Sequence, residues 1–271
     1  MDITTVRSYR VAQKRADLAL APGEVILAGG TWLMSEPQPE TTGFVDLTGM
    51  GWPDLEVDAE SDGAGLRIAA TCTIARLVAF AHEAPADWTA AAIIPDAANA
   101  LLASFKIWNT ATVGGNICRA FAAGAMVSLC VALDGVAELW GPSGDRDVPV
   151  AELVTGNGTT ALTSGEVLRG IRLPAHALRA RAALRKIALA EHGRSGAVVT
   201  GRIDADGSAV FTVTAATWAP TVLRFETAPD AETLAAAVHA ASGYYTDPLG
   251  SADWRRGVSA VLAEGIRRDL A

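Results

Sequence analysis

Short apolar runs broken by glycine and proline recur along the whole chain, and they carry two different periods. Glu24-Val25-Ile26-Leu27-Ala28 is a continuous run of strand length, stopped by Gly29-Gly30-Thr31. Gly43-Phe44-Val45-Asp46-Leu47 is a second such run, and Leu66-Arg67-Ile68-Ala69-Ala70 alternates like a half-buried strand. Val6 to Leu20 has helix-forming composition and ends at the turn signal Ala21-Pro22-Gly23. Thr73 is placed to cap a helix that opens at Ile74. Further helices are predicted from Asp96 to Phe105 and from Gly124 to Leu133, then a strand from Gly135 to Trp140 and a hairpin turn at Pro142-Ser143-Gly144-Asp145.

From about Ala177 the pattern changes. Strands are predicted over Ala182 to Ala190, Gly196 to Ile203 and Ala209 to Ala216, followed by alanine-rich helices from Ala231 to Ala241 and from Ser251 to Leu270. Strands followed by helices make this a separate α+β unit. Ahead of it, a small α/β unit precedes a second unit that starts near Leu55. A chain of 271 residues is long enough for two or three such units.

Composition narrows the function classes. Half the residues are hydrophobic and 19% charged, as in a globular protein. The charge balance is 22 − 30 = −8, which argues against a nucleic-acid partner. The longest apolar run, Ala120 to Leu133, is interrupted by Gly124 and Ser128 and falls short of the ~20 residues of a membrane span. Met1-Asp2-Ile3-Thr4-Thr5 lacks the basic and apolar regions of a secretory leader. Cys72, Cys118 and Cys130 are odd in number and have no ligand spacing, so they are expected as buried thiols in a cytoplasmic protein. His82, His176, His192 and His239 are isolated and read as surface histidines, and no serine or cysteine sits in a nucleophile context. Trp88, Trp140 and Trp218 read as core or interface residues, whereas Trp32 and Trp108 lie in or beside a glycine-rich segment.

Two glycine-broken loops carry the candidate chemistry: Leu27-Ala28-Gly29-Gly30-Thr31-Trp32-Leu33-Met34 and Thr112-Val113-Gly114-Gly115-Asn116. Paired glycines let successive backbone N–H groups converge on an anion, and Thr31, Thr112 and Asn116 add hydroxyl and amide groups. Neither loop has the spacing of a dinucleotide fingerprint or a P-loop, and either one alone reads equally well as a tight turn. Together they suit a diphosphate.

These loops occur in a longer ordered set: Phe44-Val45-Asp46-Leu47, Gly65 to Ala70, Asn109 to Ile117, Ala132-Leu133-Asp134-Gly135, Leu168 to Pro174, Ala219-Pro220-Thr221-Val222-Leu223-Arg224 and Tyr245 to Arg256. Over nearly the whole chain this order resembles the FAD-binding medium subunit of molybdenum hydroxylases, the xanthine dehydrogenase and aerobic carbon monoxide dehydrogenase group. The resemblance implies an α+β fold: a two-part FAD-binding domain of the vanillyl-alcohol oxidase type over residues 1–54 and 55–174, then a C-terminal flavoprotein domain over 175–271. It implies a cytoplasmic oxidoreductase subunit of a hetero-oligomer, with FAD taking electrons from an iron–sulfur subunit supplied by a molybdopterin-binding subunit, and passing them to NAD or another acceptor. The absence of a cysteine cluster agrees with iron–sulfur centres on a partner chain.

Carried over by position, Leu27, Ala28, Gly29, Gly30, Thr31, Trp32 and Leu33 would wrap the diphosphate, and Thr112, Gly114, Gly115 and Asn116 would form the facing wall. Lys186 would stand near the isoalloxazine or its phosphate side, and Leu168 or Arg169 against the ring system. Three positions depart from the family pattern: Trp32 replaces an acidic residue, Trp108 an arginine, and Ala125 a cofactor-binding aspartate. Losing a hydrogen bond to a charged acceptor costs ~1.5–3 kcal/mol, so a flavin-poor structural subunit of the same complex is the alternative reading.

Overall fold

The computed structural model describes residues 3–60 and 63–271. Met1 and Asp2, where the expectation about a leader begins, lie outside the described residues. Each of the three larger sheets is drawn from one contiguous stretch of chain.

The first sheet is parallel and three-stranded, built from β1 (Ser8–Val11), β2 (Glu24–Leu27) and β3 (Gly43–Asp46) in the order β1-β3-β2. All four residues of β3 are buried, as the middle strand of a parallel sheet should be. The helix expected over Val6 to Leu20 does not form. That stretch holds β1 and a 3₁₀ turn at Arg15–Leu18. Tertiary contacts override propensity here: Arg10 reaches Glu24 at 2.8 Å and the carbonyl oxygens of Asp17 and Ala19, and Ala12 and Leu18 are buried.

The second sheet is antiparallel with the order β4-β5-β10-β6-β7. Its strands are β4 (Leu55–Glu60), β5 (Gly63–Ala69), β6 (Val136–Trp140), β7 (Arg146–Pro149) and β10 (Val167–Leu173). Between β7 and β10 runs a short ladder of β8 (Val154–Gly156) and β9 (Thr159–Thr160). The helices of this unit are α1 (Ile74–Ala81), α2 (Ile93–Ala100), α3 (Phe105–Trp108), α4 (Val113–Arg119), α5 (Ala125–Ala132), α6 (Val150–Leu153) and α7 (Ala175–Arg179). Thr73 caps α1 as expected, its hydroxyl accepting from the Arg76 amide at 3.1 Å. The helix expected from Asp96 starts three residues earlier, because Pro95 is tolerated in a first turn. It also stops at Ala100, and Phe105 belongs to the separate turn α3.

The third sheet is an antiparallel meander, β11 (Arg181–Ile187), β12 (Ala197–Ile203), β13 (Ala209–Thr214) and β14 (Thr221–Phe225), covered by α8 (Ala231–Ala240) and α9 (Ala252–Leu270). Ser251 caps α9 through the Trp254 amide at 3.2 Å. A guanidinium with no solvent contact, Arg255, joins α9 to both neighbouring strands by donating to the carbonyl oxygens of Gly196 and Ala215 and pairing with Asp247 at 2.5 Å.

Helix α5 lies between the second and third sheets, and every residue in it is buried. Ser128 on α5 shares a 2.6 Å hydroxyl contact with Thr214 at the end of β13. At the other end, Arg202 on β12 donates to the carbonyl oxygen of Ala132 at 2.8 Å and binds Asp134 and Asp204. Asp134 also accepts from Arg224 on β14 at 2.7 Å. Burial pushes the Asp134 carboxyl up, but Arg224 and Arg202 outweigh it and hold its pKa at about 2. A depressed carboxylate contributes stability that is full above the unfolded value of about 4 and lost as pH falls toward 2. In urea unfolding, wild type is expected to lose about 2 kcal/mol more than Asp134→Asn between pH 5 and pH 2. Equal losses in the two proteins would refute the assignment.

Candidate functional site

Where the three units meet, a cleft of about 770 Å³ opens, within the ~300–1,000 Å³ of small-molecule and cofactor sites. The first unit supplies residues from Ile26 to Glu36 and Leu47. The second supplies Ala70, the Ala100–Ala103 bend, the start of α4, Phe121, Ala123, Gly124, Leu162 and Leu168, and the third supplies Arg194 and Ser195.

The turn after β2 is the polar part of the site. Its internal bonds are few: Met34 N–H donates to Gly30 at 2.8 Å, and the Ser35 and Glu36 amides donate to Trp32. The amides of Gly29, Gly30, Thr31, Trp32 and Leu33 make no hydrogen bond among the described residues. Five successive unpaired N–H groups beside a cleft form an anion-binding nest. The two glycines play different parts. Gly30 has φ of +68°, the left-handed geometry that turns the chain. Gly29 is a packing residue, since a Cβ there would overlap the carbonyl oxygen of Thr110.

The second glycine segment is not a loop. Thr112 is the N-cap of α4, its hydroxyl accepting from the Gly115 amide at 3.0 Å. Its other amides are also taken: Val113 donates to Cys72, Gly114 to Ala70 and Asn116 to Thr112. From Val113 to Asn116 this wall therefore offers shape and no free backbone donor, and the expected second nest is corrected there. Gly114 lets α4 approach β5, for a Cβ would stand 2.5 Å from that of Ala70. Gly115 is exposed on the cleft, where a Cβ would meet the Thr112 hydroxyl at 2.9 Å and no other atom within 4 Å. The Asn116 side chain lines the cleft while its Oδ1 accepts from the Met126 amide at 2.9 Å, capping α5.

Other expected residues are sorted by the geometry. Leu27 is core, beneath Gly30, while Ala28, Thr31, Trp32 and Leu33 line the cleft. Strand alternation puts Leu168 on the cleft and Arg169 on the opposite face, where its guanidinium lies 4.5 Å from the Trp52 ring. Lys186 does not line the cleft: its Nζ donates to the Asn99 carbonyl at 2.9 Å, tying β11 to the end of α2. Trp108 packs against the second unit's core with its Nε1 unpartnered, and Ala125 is buried behind Ala123 and Gly124. Cys118 borders the cleft, but burial raises its thiol to about 12, so it is inert as a nucleophile.

Arg119 and Arg194 were not legible as site residues. The Arg119 guanidinium carbon lies 3.9 and 3.8 Å from the centroids of the Trp32 and Phe121 rings, in the corner that the two edge-on rings make. Burial pushes its pKa down, with Glu36 pulling the other way. Among the described residues the charged side chains of the cleft are Arg119, Arg194, Glu36 and Glu166. Glu166 is held to about 2 by Arg146, so it is a fixed carboxylate rather than a proton carrier.

The family model of the FAD binding domain in molybdopterin dehydrogenase matches residues 4–176, more than half of the chain. The chain belongs to this family. The FAD-binding subunit of xanthine dehydrogenase from Escherichia coli O157:H7 is 28% identical to this family member over 177 residues, 62% of the chain and 57% of that relative's length. The matched part thus spans little more than half of the curated relative. Reconstituted CO dehydrogenase from Oligotropha carboxidovorans superposes with a TM-score of 0.83 at 23% identity, over 98% of this chain and 97% of that one. Quinoline 2-oxidoreductase from Pseudomonas putida 86 gives 0.76 at 20% identity, over 97% and 96%. The fold of the flavoprotein family therefore extends through the third sheet, as the α+β expectation held.

Two substitutions separate packing from recognition. Gly29→Ala is expected to cost about 2 kcal/mol or more in urea unfolding, because the Thr110 backbone cannot give way. Thr112→Ala should cost about 1 kcal/mol through the lost cap of α4. A Gly29→Ala protein as stable as wild type would refute the packing role.

Proposed function

We propose that this chain is the FAD-binding electron-transfer subunit of a molybdenum hydroxylase complex. The observation that carries the proposal is the run of five unpaired amides from Gly29 to Leu33, at one end of a cleft otherwise lined mostly by apolar groups. The cleft fits the cofactor by that test. The turn after β2 offers donors for a diphosphate, the exposed Cα of Gly115 leaves the facing wall open, and Leu168 supports a flat ring from the sheet side.

When bound, FAD supplies the one- and two-electron chemistry that no side chain here can perform. The chain's own residues bind, orient and exclude water. The amides of 29–33 hold the anionic part, α4 sets the width of the cleft, and the Ala100–Ala103 bend and Leu162 keep its walls apolar. We place no proton transfer on the subunit, since the cleft pairs no histidine with a carboxylate and Glu166 is engaged by Arg146.

The division into units 1–54, 55–174 and 175–271 belongs to this reading, as do a cytoplasmic location and the two partner chains, one with iron–sulfur centres and one with molybdopterin. Among the described residues no group of His, Cys, Asp and Glu could hold a metal ion, so these centres would come from partners. Among the described residues no helix is long and apolar enough to cross a membrane. NAD is one candidate for the final acceptor. The flavin-poor structural subunit is the competing reading, and the buried Ala125, where an acid would otherwise reach the cofactor, is the observation on its side.

Purified protein should carry a chromophore absorbing at about 450 nm, released on denaturation as FAD. A colourless protein that takes up no added FAD would refute the proposal. Gly115→Val should abolish flavin binding with the far-UV spectrum near wild type and a stability cost of only about 1 kcal/mol, from displacement of the Thr112 cap, whereas retained FAD would clear α4 of a part in the site. Hydroxylase substrate should bleach the flavin in the complex with both partners. Bleaching in the isolated chain would point instead to a free-standing oxidase.

A further inference from the structure

The cleft of this acidic chain holds two arginines, and Glu36 acts on one of them, Arg119, only through space. Arg119 and Arg194 have no hydrogen bond and no ion pair among the described residues. Most other arginines of the chain are engaged by carboxylates or carbonyl groups, as Arg202 and Arg255 are. Arg119 is the more unusual of the two. It closes α4 at Ala120, whose φ is +53°, and this turn of the backbone delivers the side chain to the turn that follows β2.

The Arg119 guanidinium carbon sits in the corner made by Trp32 and Phe121, whose rings are edge-on to each other at 6.2 Å. Ring contacts leave the five N–H donors of a guanidinium unsatisfied as hydrogen-bond donors. One of these, Nε, is buried and unpartnered. Leaving a charged donor in that state costs stability unless an anion completes it. Arg194 stands over the same Phe121 ring at 5.6 Å and adds a second positive charge. Trp32, which forms one jaw, also carries one of the five free amides.

We propose that the Trp32–Arg119–Phe121 cluster is a diphosphate clamp: Arg119 is the charge partner of the anion that the 29–33 amides cradle, and contact with the two rings fixes its position. The proposal rests on the reading of this cleft as an FAD site, and it names the group that chooses a diphosphate over an uncharged flavin. The indole at position 32 holds the guanidinium without quenching its charge.

The test uses flavin-free full chain and four probes: inorganic pyrophosphate, ADP, FAD and riboflavin, each titrated by calorimetry or by fluorescence. Arg119→Gln should weaken pyrophosphate, ADP and FAD alike by about 10- to 100-fold and leave riboflavin within about twofold. Arg119→Lys should lose less than Arg119→Gln toward pyrophosphate, because it keeps the charge without the guanidinium's ring contacts. If Arg119→Gln does not fold, the split between pyrophosphate and riboflavin in Arg119→Lys decides alone. Unchanged pyrophosphate and ADP binding, or an equal loss of riboflavin at an unchanged unfolding midpoint, overturns the clamp. Wild type that binds FAD and riboflavin equally and ignores pyrophosphate also overturns it, while leaving the flavin reading intact. Arg119-dependent pyrophosphate binding without any flavin binding upholds the clamp and refutes that reading.

Discussion

A helix with no face toward water has to settle all its polar groups inside the protein, and α5 imposes that demand on everything around it. Its eight residues are buried between two sheets. Ser128 bonds to Thr214, and the Met126 amide is taken by Asn116 from α4. The carbonyl of Ala132 at the far end is taken by Arg202 from the third sheet. The caps come from different units, so α5 can be buried only when those units are docked. The cleft forms at the same junction, and the residue that caps α5, Asn116, is also part of its wall.

The same logic separates the two walls. Around α4 every amide from Val113 to Asn116 has a protein partner, and Gly114 brings the helix against β5. In the turn after β2 five amides have none. One wall is finished by folding and gives only shape; the other is left chemically open. The C-terminal sheet braces the arrangement by taking the last carbonyls of α2, Asn99 through Lys186 and Ala100 through Ser195. Lys186 thus acts as a strut between β11 and α2.

Most of the architecture was readable from the sequence, because the strands are short apolar runs between strong breakers and the caps at Thr73 and Ser251 are plain. The first helix was misread because a helix-forming composition says nothing of a parallel partner such as β3. The segment 100–108 was misread because Leu101 and Leu102 look like a continuing helix and instead bend along the cleft. At the site, the Gly29-Gly30 turn and the segment Thr112 to Asn116 were legible as two walls of one cleft. The saturation of the α4 amides was not, since the acceptors Cys72 and Ala70 are some forty residues away. Arg119 was hidden for a similar reason: its neighbours Trp32 and Phe121 meet only when two units pack, and no spacing along the chain announces that.

The open turn has a consequence for how the protein lives before it is loaded. Its five unpaired amides belong to residues that line a cleft open to water, so the empty subunit pays little for them, and its core is closed without help from a ligand. Occupancy then acts on stability only by mass action, adding about 2.7 kcal/mol when free ligand is a hundredfold above its dissociation constant. The resistance of this subunit to heat and proteolysis would accordingly rise and fall with the supply of its cofactor, and a starved cell would hold the same folded chain in a shorter-lived form.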